Sequence, residues 1–266
     1  MNCPKCQKKL PKSNPRVCPS CGKDLTAFYK MKENQGEKIQ INKRTPVRLY
    51  VLAAALALCL LAGAVLGIYF LTREKTPEPF DMEAVKAEIN SRQISDFTAT
   101  DMPTDYVKIS VKDFGEIVVR LRPDLAPISV QNFKNLVARS YYDGLSFHRV
   151  YPNFMIQGGA GTEDLSPIKG EFSSNGVENP LLHIRGVLSM ARTTVKDSAT
   201  SQFFLMHADY PSLNGNYAAF GYIVAGLETV DRICEIPLGD NPSNGEHSVP
   251  QVDVIIESAV FVNPNS

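Results

Sequence analysis

The chain has 266 residues, which is enough for one large domain or two smaller ones, and its composition is that of a globular protein. Its formal net charge of zero conceals an asymmetry: residues 1–48 carry 12 Lys and Arg against 3 Asp and Glu, whereas residues 72–266 carry 16 against 25. Four of the six cysteines lie within the first 21 residues, which excludes a disulfide framework in the C-terminal part.

The first predicted element is a cysteine cluster with the spacing C-x2-C-x11-C-x2-C. Each C-x2-C pair forms a tight turn that aims two thiolates at one ion, and two such pairs complete a tetrahedral site. Four cysteine ligands leave no open position for a substrate, so the spacing predicts a structural zinc. This zinc-ribbon-like segment covers residues 1–26, and its predicted ligands are Cys3, Cys6, Cys18 and Cys21.

Two alternatives stay open for this segment: a redox dithiol pair and a nucleic-acid-binding ribbon. The many nearby lysines permit nucleic-acid binding, but the same cations are expected at the cytosolic end of a membrane span. Nucleic acid is therefore not a favoured partner, and the spacing identifies no other.

The next predicted elements are a basic linker at residues 27–48 and an uncharged apolar run at residues 49–71. As a helix, this run of 23 residues measures about 34 Å and exceeds a hydrocarbon thickness of about 30 Å. It is too long and too far from the N-terminus for a cleaved signal peptide. Because most flanking cations precede it, we expect a single-pass anchor in the cell membrane, with a cytosolic N-terminus and an extracytoplasmic C-terminal domain.

Residues 72–103 read as a linker or stalk that contains a short helix. Met82, Val85 and Ile89 have helical spacing, and they predict this helix between residues 80 and 92. The pattern is compatible both with a free stalk and with a helix that packs on the following domain.

The main predicted domain covers residues 104–263. Alternating strands at residues 107–111 and 117–121 flank a turn, one helix is predicted to begin at Pro127, and another to cover residues 227–234. Further short strands lie between and after the helices. Many short strands with two helices predict a mainly β fold, a closed barrel with helical caps.

Three segments of this domain carry a family resemblance. Residues 147–159 read FHRVYPNFMIQGG, residues 186–209 contain GVLSMAR and SATSQFFLMHAD, and residues 213–221 read LNGNYAAFG. In this order and spacing they resemble the signature segments of cyclophilins. The resemblance implies a closed eight-stranded antiparallel β-barrel capped by two helices. It also implies peptidyl-prolyl cis/trans isomerase activity on proline-containing polypeptides, with no cofactor for catalysis.

By this resemblance, Arg149 is the catalytic cation. Phe154, Met155, Phe204 and Leu213 match the family positions that form the apolar pocket for the proline ring. The remaining positions that match substrate contacts are Gln157, Ala191, Arg192, Gln202 and Tyr217.

The chemistry fits these residue types. Prolyl isomerisation needs no nucleophile and no metal, because its barrier of about 18–20 kcal/mol is the amide resonance lost when the C–N bond twists. The twisted prolyl nitrogen accepts a hydrogen bond, so a fixed cation stabilises it over either planar state. Nothing in this reaction requires a proton to move, and His148 is therefore expected to be structural.

Three positions depart from the usual pattern of the family. Ser212 stands where many cyclophilins carry tryptophan, and the chain has none, so tight cyclosporin binding is not expected. Tyr217 stands where histidine is common, and Arg192 where asparagine is common, which implies a changed preference beside the proline. The retained Arg149 favours an active isomerase for exported proteins over the alternative, a non-catalytic module that binds proline-containing partners.

Overall fold

A computed structural model describes residues 1–13, 15–34 and 80–265. The chain divides into two compact units, Met1–Pro77 and Glu78–Ser266. The membrane span predicted at residues 49–71 lies outside the described residues. Among the residues that are described, no helix combines the length and apolar character needed to cross a membrane.

The described part of the first unit consists of two cysteine turns and one helix, α1 (Thr26–Asn34). Each turn is closed by an isolated antiparallel bridge, Asn2 with Lys9 and Val17 with Asp24. Its buried side chains are two cysteines and two leucines, Cys3, Leu10, Cys18 and Leu25. An apolar core of this size is too small to stabilise a fold without further support.

The second unit contains three α-helices in its described residues, namely α2 (Met82–Glu88), α3 (Pro127–Ala138) and α4 (Leu227–Cys234). Its first strands are β1 (Phe97–Ala99), β2 (Tyr106–Val111), β3 (Gly115–Leu121), β4 (Phe147–Tyr151) and β5 (Met155–Gly158). The others are β6 (Val187–Met190), β7 (Phe203–Met206), β8 (Ala219–Ala225), β9 (Leu238–Asp240), β10 (His247–Pro250) and β11 (Ile256–Pro264).

Local sequence explains several of these boundaries. The predicted hairpin is present as β2 and β3, and its turn places Asp113 and Gly115 at positive φ angles of 64° and 119°. Helix α3 begins at Pro127, as predicted. Its first free backbone N–H groups, those of Ile128 and Ser129, donate to the buried carboxylate of Glu171 at 2.9 and 2.8 Å.

The sheet corrects the predicted closed barrel of eight strands. Nine strands pair antiparallel in the order β1-β11-β2-β3-β8-β6-β7-β5-β4, while β9 and β10 form a separate hairpin. In the described residues, the sheet ends at β1 and β4 and is not closed. Ser146, immediately before β4, meets Ile255, immediately before β11, at one isolated bridge, and a single bridge is too short to form a ladder. The prediction of a mainly β fold is confirmed, but the closure is wrong.

Buried side chains form two clusters in the second unit, and consecutive residues of one strand belong to different clusters. Phe203 is fully buried with Phe133 of α3 and Phe220 of β8, whereas Phe204 packs with Met155 in the other cluster. This alternation follows from the two-residue period of a strand. It directs Phe203 into the core and Phe204 towards the site described below.

Helix α2 packs against the sheet. Its Val85 is buried, and Glu88 accepts two hydrogen bonds from Arg120 at 2.7 and 2.6 Å and one from the Tyr222 hydroxyl at 2.6 Å. The backbone continues this attachment, because Asn90 N–H donates to the Ile223 carbonyl. The sequence left open a free stalk or a packed helix, and this segment is packed.

Candidate active site

Three neighbouring strands bring the centre of the site together. Arg149 of β4 lies opposite Gln157 of β5, and Gln157 lies opposite Phe204 of β7. Residues directly opposite each other on paired strands point to the same face of a sheet. Met155 precedes Gln157 by two positions and shares that face. A cation, an amide and two apolar side chains therefore meet on one surface.

Two adjoining cavities lie on this surface. The first, of about 110 Å³, is lined by nine of the ten predicted residues, namely Arg149, Phe154, Met155, Gln157, Ala191, Arg192, Phe204, Leu213 and Tyr217. The second, of about 260 Å³, shares three of them and adds the tenth residue, Gln202, together with Thr193, Ser198 and Thr200. A larger cavity of about 450 Å³ elsewhere in the unit contains none of the predicted residues.

Arg149 is held from several sides. Its Nε and Nη2 donate to the carboxylate of Glu246 at 2.8 and 2.9 Å, and its Nη1 donates to Gln157 Oε1 at 3.3 Å. The guanidinium carbon lies 5.8 Å from the centre of the Phe154 ring. The hydrogen bond from Arg149 lowers the pKa of Glu246, so this carboxylate stays ionised at neutral pH.

The two glutamines form a directed chain of hydrogen bonds. Arginine can only donate, so its contact assigns the Gln157 carbonyl oxygen to the Arg149 side. The Gln157 amide nitrogen then donates to Gln202 Oε1 at 2.9 Å. This contact leaves the amide nitrogen of Gln202, a residue that lines the second cavity, as the last donor of the chain of hydrogen bonds.

An aromatic group forms one wall. The Phe154 ring lies 4.4 Å from that of Tyr210 and 5.9 Å from that of Tyr151, between ring centres. The Phe154 carbonyl accepts a hydrogen bond from His207 N–H at 2.9 Å, and His207 Nδ1 accepts one from Asn153 N–H at 2.8 Å. These contacts fix the turn between β4 and β5 that carries Phe154.

Another part of the cavity lining, Phe204 and Tyr217, is supported by a buried histidine. Phe204 and Tyr217 meet edge to face with ring centres 5.8 Å apart, and His183 stacks behind Phe204. His183 is hydrogen-bonded to Ser189 Oγ at 3.0 Å and to Asn214 Oδ1 at 3.3 Å. Burial lowers the pKa of His183 to about 4, which makes it a neutral structural group at pH 7.

Arg192 adds a fixed positive charge between the two cavities. Its guanidinium lies 4.5 Å from the Tyr217 ring centre and 5.1 Å from that of Phe172. It donates to the backbone carbonyls of Asn216 and Thr193. Within residues 80–265, no carboxylate lies at ion-pair distance from Arg192.

Sequence reasoning missed some residues of the site. Glu246, Tyr210 and His183 all support predicted residues, but they lie outside the residues that carried the resemblance or at unremarkable positions within loops. His148, in contrast, does not line the cavity, and burial lowers its pKa. That environment agrees with the structural role expected for it.

The first unit contains a candidate metal centre. Four sulfurs at 2.3 Å from a zinc ion in tetrahedral geometry lie about 3.8 Å apart. Cys3 Sγ lies 3.7 Å from Cys21 Sγ, Cys6 Sγ lies 3.8 Å from Cys18 Sγ, and all four sulfurs lie within 4.8 Å of one another. These separations fit a tetrahedral ion and exceed the length of a disulfide bond. Gly22, with a φ angle of 68°, completes the second turn.

The sheet carries a cavity at which an arginine is held in a fixed orientation. Residues 106–260 match the family model described as cyclophilin type peptidyl-prolyl cis-trans isomerase/CLD. The match covers more than half of the chain, which therefore belongs to the cyclophilin-type peptidyl-prolyl cis-trans isomerase family. The predicted enzyme class is confirmed.

Several known proteins are similar to this chain. The peptidyl-prolyl cis-trans isomerase of Acinetobacter baylyi is 41% identical over 166 residues, which cover 58% of this chain and 84% of the relative. Peptidyl-prolyl cis-trans isomerase B of Escherichia coli is 38% identical, over 54% of this chain and 92% of the relative. A Cryptosporidium parvum cyclophilin, solved in the presence of the dipeptide Ala-Pro, is 28% identical with a TM-score of 0.51 and covers 59% of this chain and 98% of its own.

Proposed function

We propose that this chain is a membrane-tethered prolyl isomerase that accelerates the folding of exported proteins, with Arg149 as its catalytic residue. The observation that carries the catalytic part is the position of the Arg149 guanidinium at a cavity whose other walls are largely apolar and aromatic. Such a cavity accepts a proline ring, and the arginine beside it supplies an N–H donor for the prolyl nitrogen.

The proposed mechanism needs two contributions. A 10⁵-fold acceleration requires roughly 7 kcal/mol, whereas one charge-assisted hydrogen bond supplies only about 1.5–3 kcal/mol. Arg149 stabilises the twisted amide nitrogen. The remainder comes from holding the chain on both sides of the bond while it rotates.

The cavity residues divide this second task between them. Phe154, Met155, Phe204 and Leu213 enclose the proline ring, and the Gln202 amide nitrogen donates to a substrate carbonyl. The peptide is positioned by the backbone edge at Ala191 and Arg192 and by the neighbouring aromatic side chain of Tyr217. Proline-containing segments that are still unfolded fit this arrangement, because their X–Pro bonds are accessible and isomerise in tens of seconds without a catalyst.

The membrane part of the proposal rests on the sequence. Residues 49–71 anchor the chain in the cell membrane, and the charge bias around them directs the isomerase unit to the extracytoplasmic side. The four cysteines hold a structural zinc on the cytosolic side, where thiols stay reduced.

The central test is the effect of Arg149→Ala on X–Pro exchange. NMR exchange spectroscopy of a proline peptide with the purified full chain is expected to give a rate at least about tenfold lower for the variant, because a charge-assisted hydrogen bond is lost from the twisted state. Arg139→Ala is the matched control, since Arg139 pairs with Glu163 outside both cavities. If Arg149→Ala keeps the wild-type rate, Arg149 is not the catalytic residue. If the wild-type chain binds the peptide without accelerating its exchange, the module is non-catalytic.

A further inference from the structure

The Arg149 guanidinium has an ion-pair partner in a distant hairpin. Glu246 immediately precedes β10, and its two carboxylate oxygens accept from Nε and Nη2 of Arg149 at 2.8 and 2.9 Å. The exposed fractions of the two side chains are 31% for Arg149 and 18% for Glu246. Two parallel hydrogen bonds between a planar guanidinium and a planar carboxylate fix the orientation of both groups, not only their distance.

This orientation determines which nitrogen remains for the substrate. The Nε–Nη2 edge is occupied by Glu246, whereas Nη1 lies at the opposite corner of the same plane and donates to Gln157 Oε1 at 3.3 Å. Both Arg149 and Gln157 line the smaller cavity. The carboxylate thus turns the Nη1 corner of the guanidinium towards the cavity.

Glu246 is itself held by the turn that joins β9 and β10. Its N–H donates to Asn244 Oδ1 at 3.0 Å, and its carbonyl accepts from Asn241 N–H at 2.7 Å. Gly245, with a φ angle of 70°, donates its N–H to the Asn241 carbonyl at 2.7 Å. Because this turn is closed by its own hydrogen bonds, the carboxylate is presented in a defined place before any substrate binds.

We propose that Glu246 is a positioning residue for the isomerase reaction, which aims Arg149 at the prolyl nitrogen. This inference rests on the proposed catalytic role of Arg149. The carboxylate also partly neutralises the arginine, but the twisted prolyl nitrogen is a neutral acceptor. Such an acceptor depends more on a correctly directed N–H than on the net charge of the donor.

The test compares Glu246→Ala and Glu246→Gln in the full chain by NMR exchange of a proline peptide. Loss of the carboxylate releases the guanidinium, and kcat is expected to fall about tenfold while KM changes less than about twofold. Glu246→Gln keeps one neutral acceptor of the same reach and is expected to lie between the wild type and Glu246→Ala. Asp240→Ala removes another carboxylate of the same hairpin, one that pairs with His247, and serves as the matched control.

A double-mutant cycle separates positioning from general support of the fold. In an Arg149→Ala background there is no guanidinium to aim, so Glu246→Ala is expected to cause no further loss of kcat. In the wild type, the Arg149 Nε–H resonance is expected to be protected from hydrogen exchange, and this protection is expected to vanish in Glu246→Ala.

The outcomes distinguish the two proposals. An active wild type whose Glu246→Ala variant keeps or raises kcat overturns the positioning role alone. An equal loss of kcat in both backgrounds also overturns it, because Glu246 then acts through the fold. A wild-type chain without activity overturns the proposed function itself, on which this inference rests.

Discussion

At the level of single residues, the two arginines of the site have different electrostatic settings. Arg149 is paired with Glu246, so it offers directed N–H groups with little net charge. Within the described residues, Arg192 donates to backbone carbonyls and has no carboxylate partner at the wall between the cavities. An arginine in the second setting contributes to selectivity, because it attracts acidic groups and repels basic ones.

We predict that Arg192 gives the enzyme a preference for an acidic residue beside the proline. Two peptides that differ only in Glu or Lys next to the proline are expected to show a kcat/KM ratio about fivefold in favour of Glu, which corresponds to about 1 kcal/mol for a partly exposed charge. In Arg192→Gln this ratio is expected to approach one, and in the wild type added salt should reduce it. A ratio that is the same in both proteins contradicts the prediction.

His183 makes the stability of the isomerase unit dependent on pH. Its pKa is lowered by burial to about 4 in the folded state, compared with about 6.5 in an unfolded chain. Between these values the unfolded state binds the extra proton, so stability is present above pH 6.5 and is lost as the pH falls towards 4. The loss between pH 7 and pH 5 is expected to be about 2 kcal/mol.

Urea unfolding of residues 78–266, followed by circular dichroism at both pH values, measures this effect. The fragment contains every member of the two large buried clusters. His183→Gln lacks the titrating ring, so its stability is expected to change less between pH 7 and pH 5 than that of the wild type. An equal change in both proteins shows that other groups carry the dependence.

The sequence predicts most of the residues that line the cavity, but it does not predict the residues that hold them in place. Met155, Gln157 and Phe204 lie in strands whose two-residue period sends neighbours to opposite faces, so a contiguous motif already fixes which side chains share a surface. Glu246 carries no such signal. Its pairing with Arg149 depends on how the β9–β10 hairpin packs, which is a tertiary event that local patterns do not encode.

At the level of elements, the cysteine turns and the sheet differ in how they are stabilised. The sheet unit has two extensive buried clusters, whereas the described part of the first unit buries only Cys3, Leu10, Cys18 and Leu25. Two of those four side chains are candidate zinc ligands. The metal is therefore expected to supply much of the folding free energy of this segment.

We predict one zinc ion per chain, bound by the four clustered cysteines. Elemental analysis of the purified full chain is expected to give a stoichiometry near one, and Cys18→Ser is expected to lower it strongly, because the loss of one thiolate breaks the tetrahedral set. Removal of zinc with a chelator is expected to unfold residues 1–26 and to leave prolyl isomerase activity unchanged. Cys234→Ser is the matched control, since Cys234 lies in α4 of the other unit.

A full zinc content in Cys18→Ser contradicts this ligand set. Four thiols that form disulfides in the purified protein and bind no metal favour the redox alternative instead.

Strand and helix patterns predicted individual elements better than they predicted closure of the sheet. The helix at Leu227–Cys234 and the hairpin of β2 and β3 follow from local periodicity. Closure depends on whether β4 and the chain before β11 form a ladder, and in the described part of the chain this contact is limited to the isolated Ser146–Ile255 bridge. Such pairing joins residues more than 100 positions apart, so neither segment encodes it alone.

At the level of the whole molecule, the proposed membrane tether rests on the charge distribution of the sequence. The basic residues 1–48 carry the cysteine cluster, and the acidic residues 72–266 carry the isomerase site, with the uncharged residues 49–71 between them. In the proposed arrangement, one chain would combine a reduced metal site with an extracytoplasmic catalyst, and tethering would keep that catalyst near emerging chains at a high local concentration.

This arrangement predicts that the isomerase unit of the full chain is digested when protease is added to intact cells. The expected digestion follows from the positive-inside rule, since 12 Lys and Arg precede the apolar run. An epitope before Cys3 is expected to stay protected until the membrane is permeabilised, and a cytosolic marker protein controls for lysis.

A variant in which the cations at Lys43, Arg44 and Arg48 become Glu is expected to weaken the charge bias around the apolar run and to increase the protected fraction of the isomerase unit. If the isomerase unit of the wild type stays protected, the orientation is reversed or the tether is absent. Cell fractionation then separates these two cases, because a reversed chain stays with the membrane and an untethered chain does not.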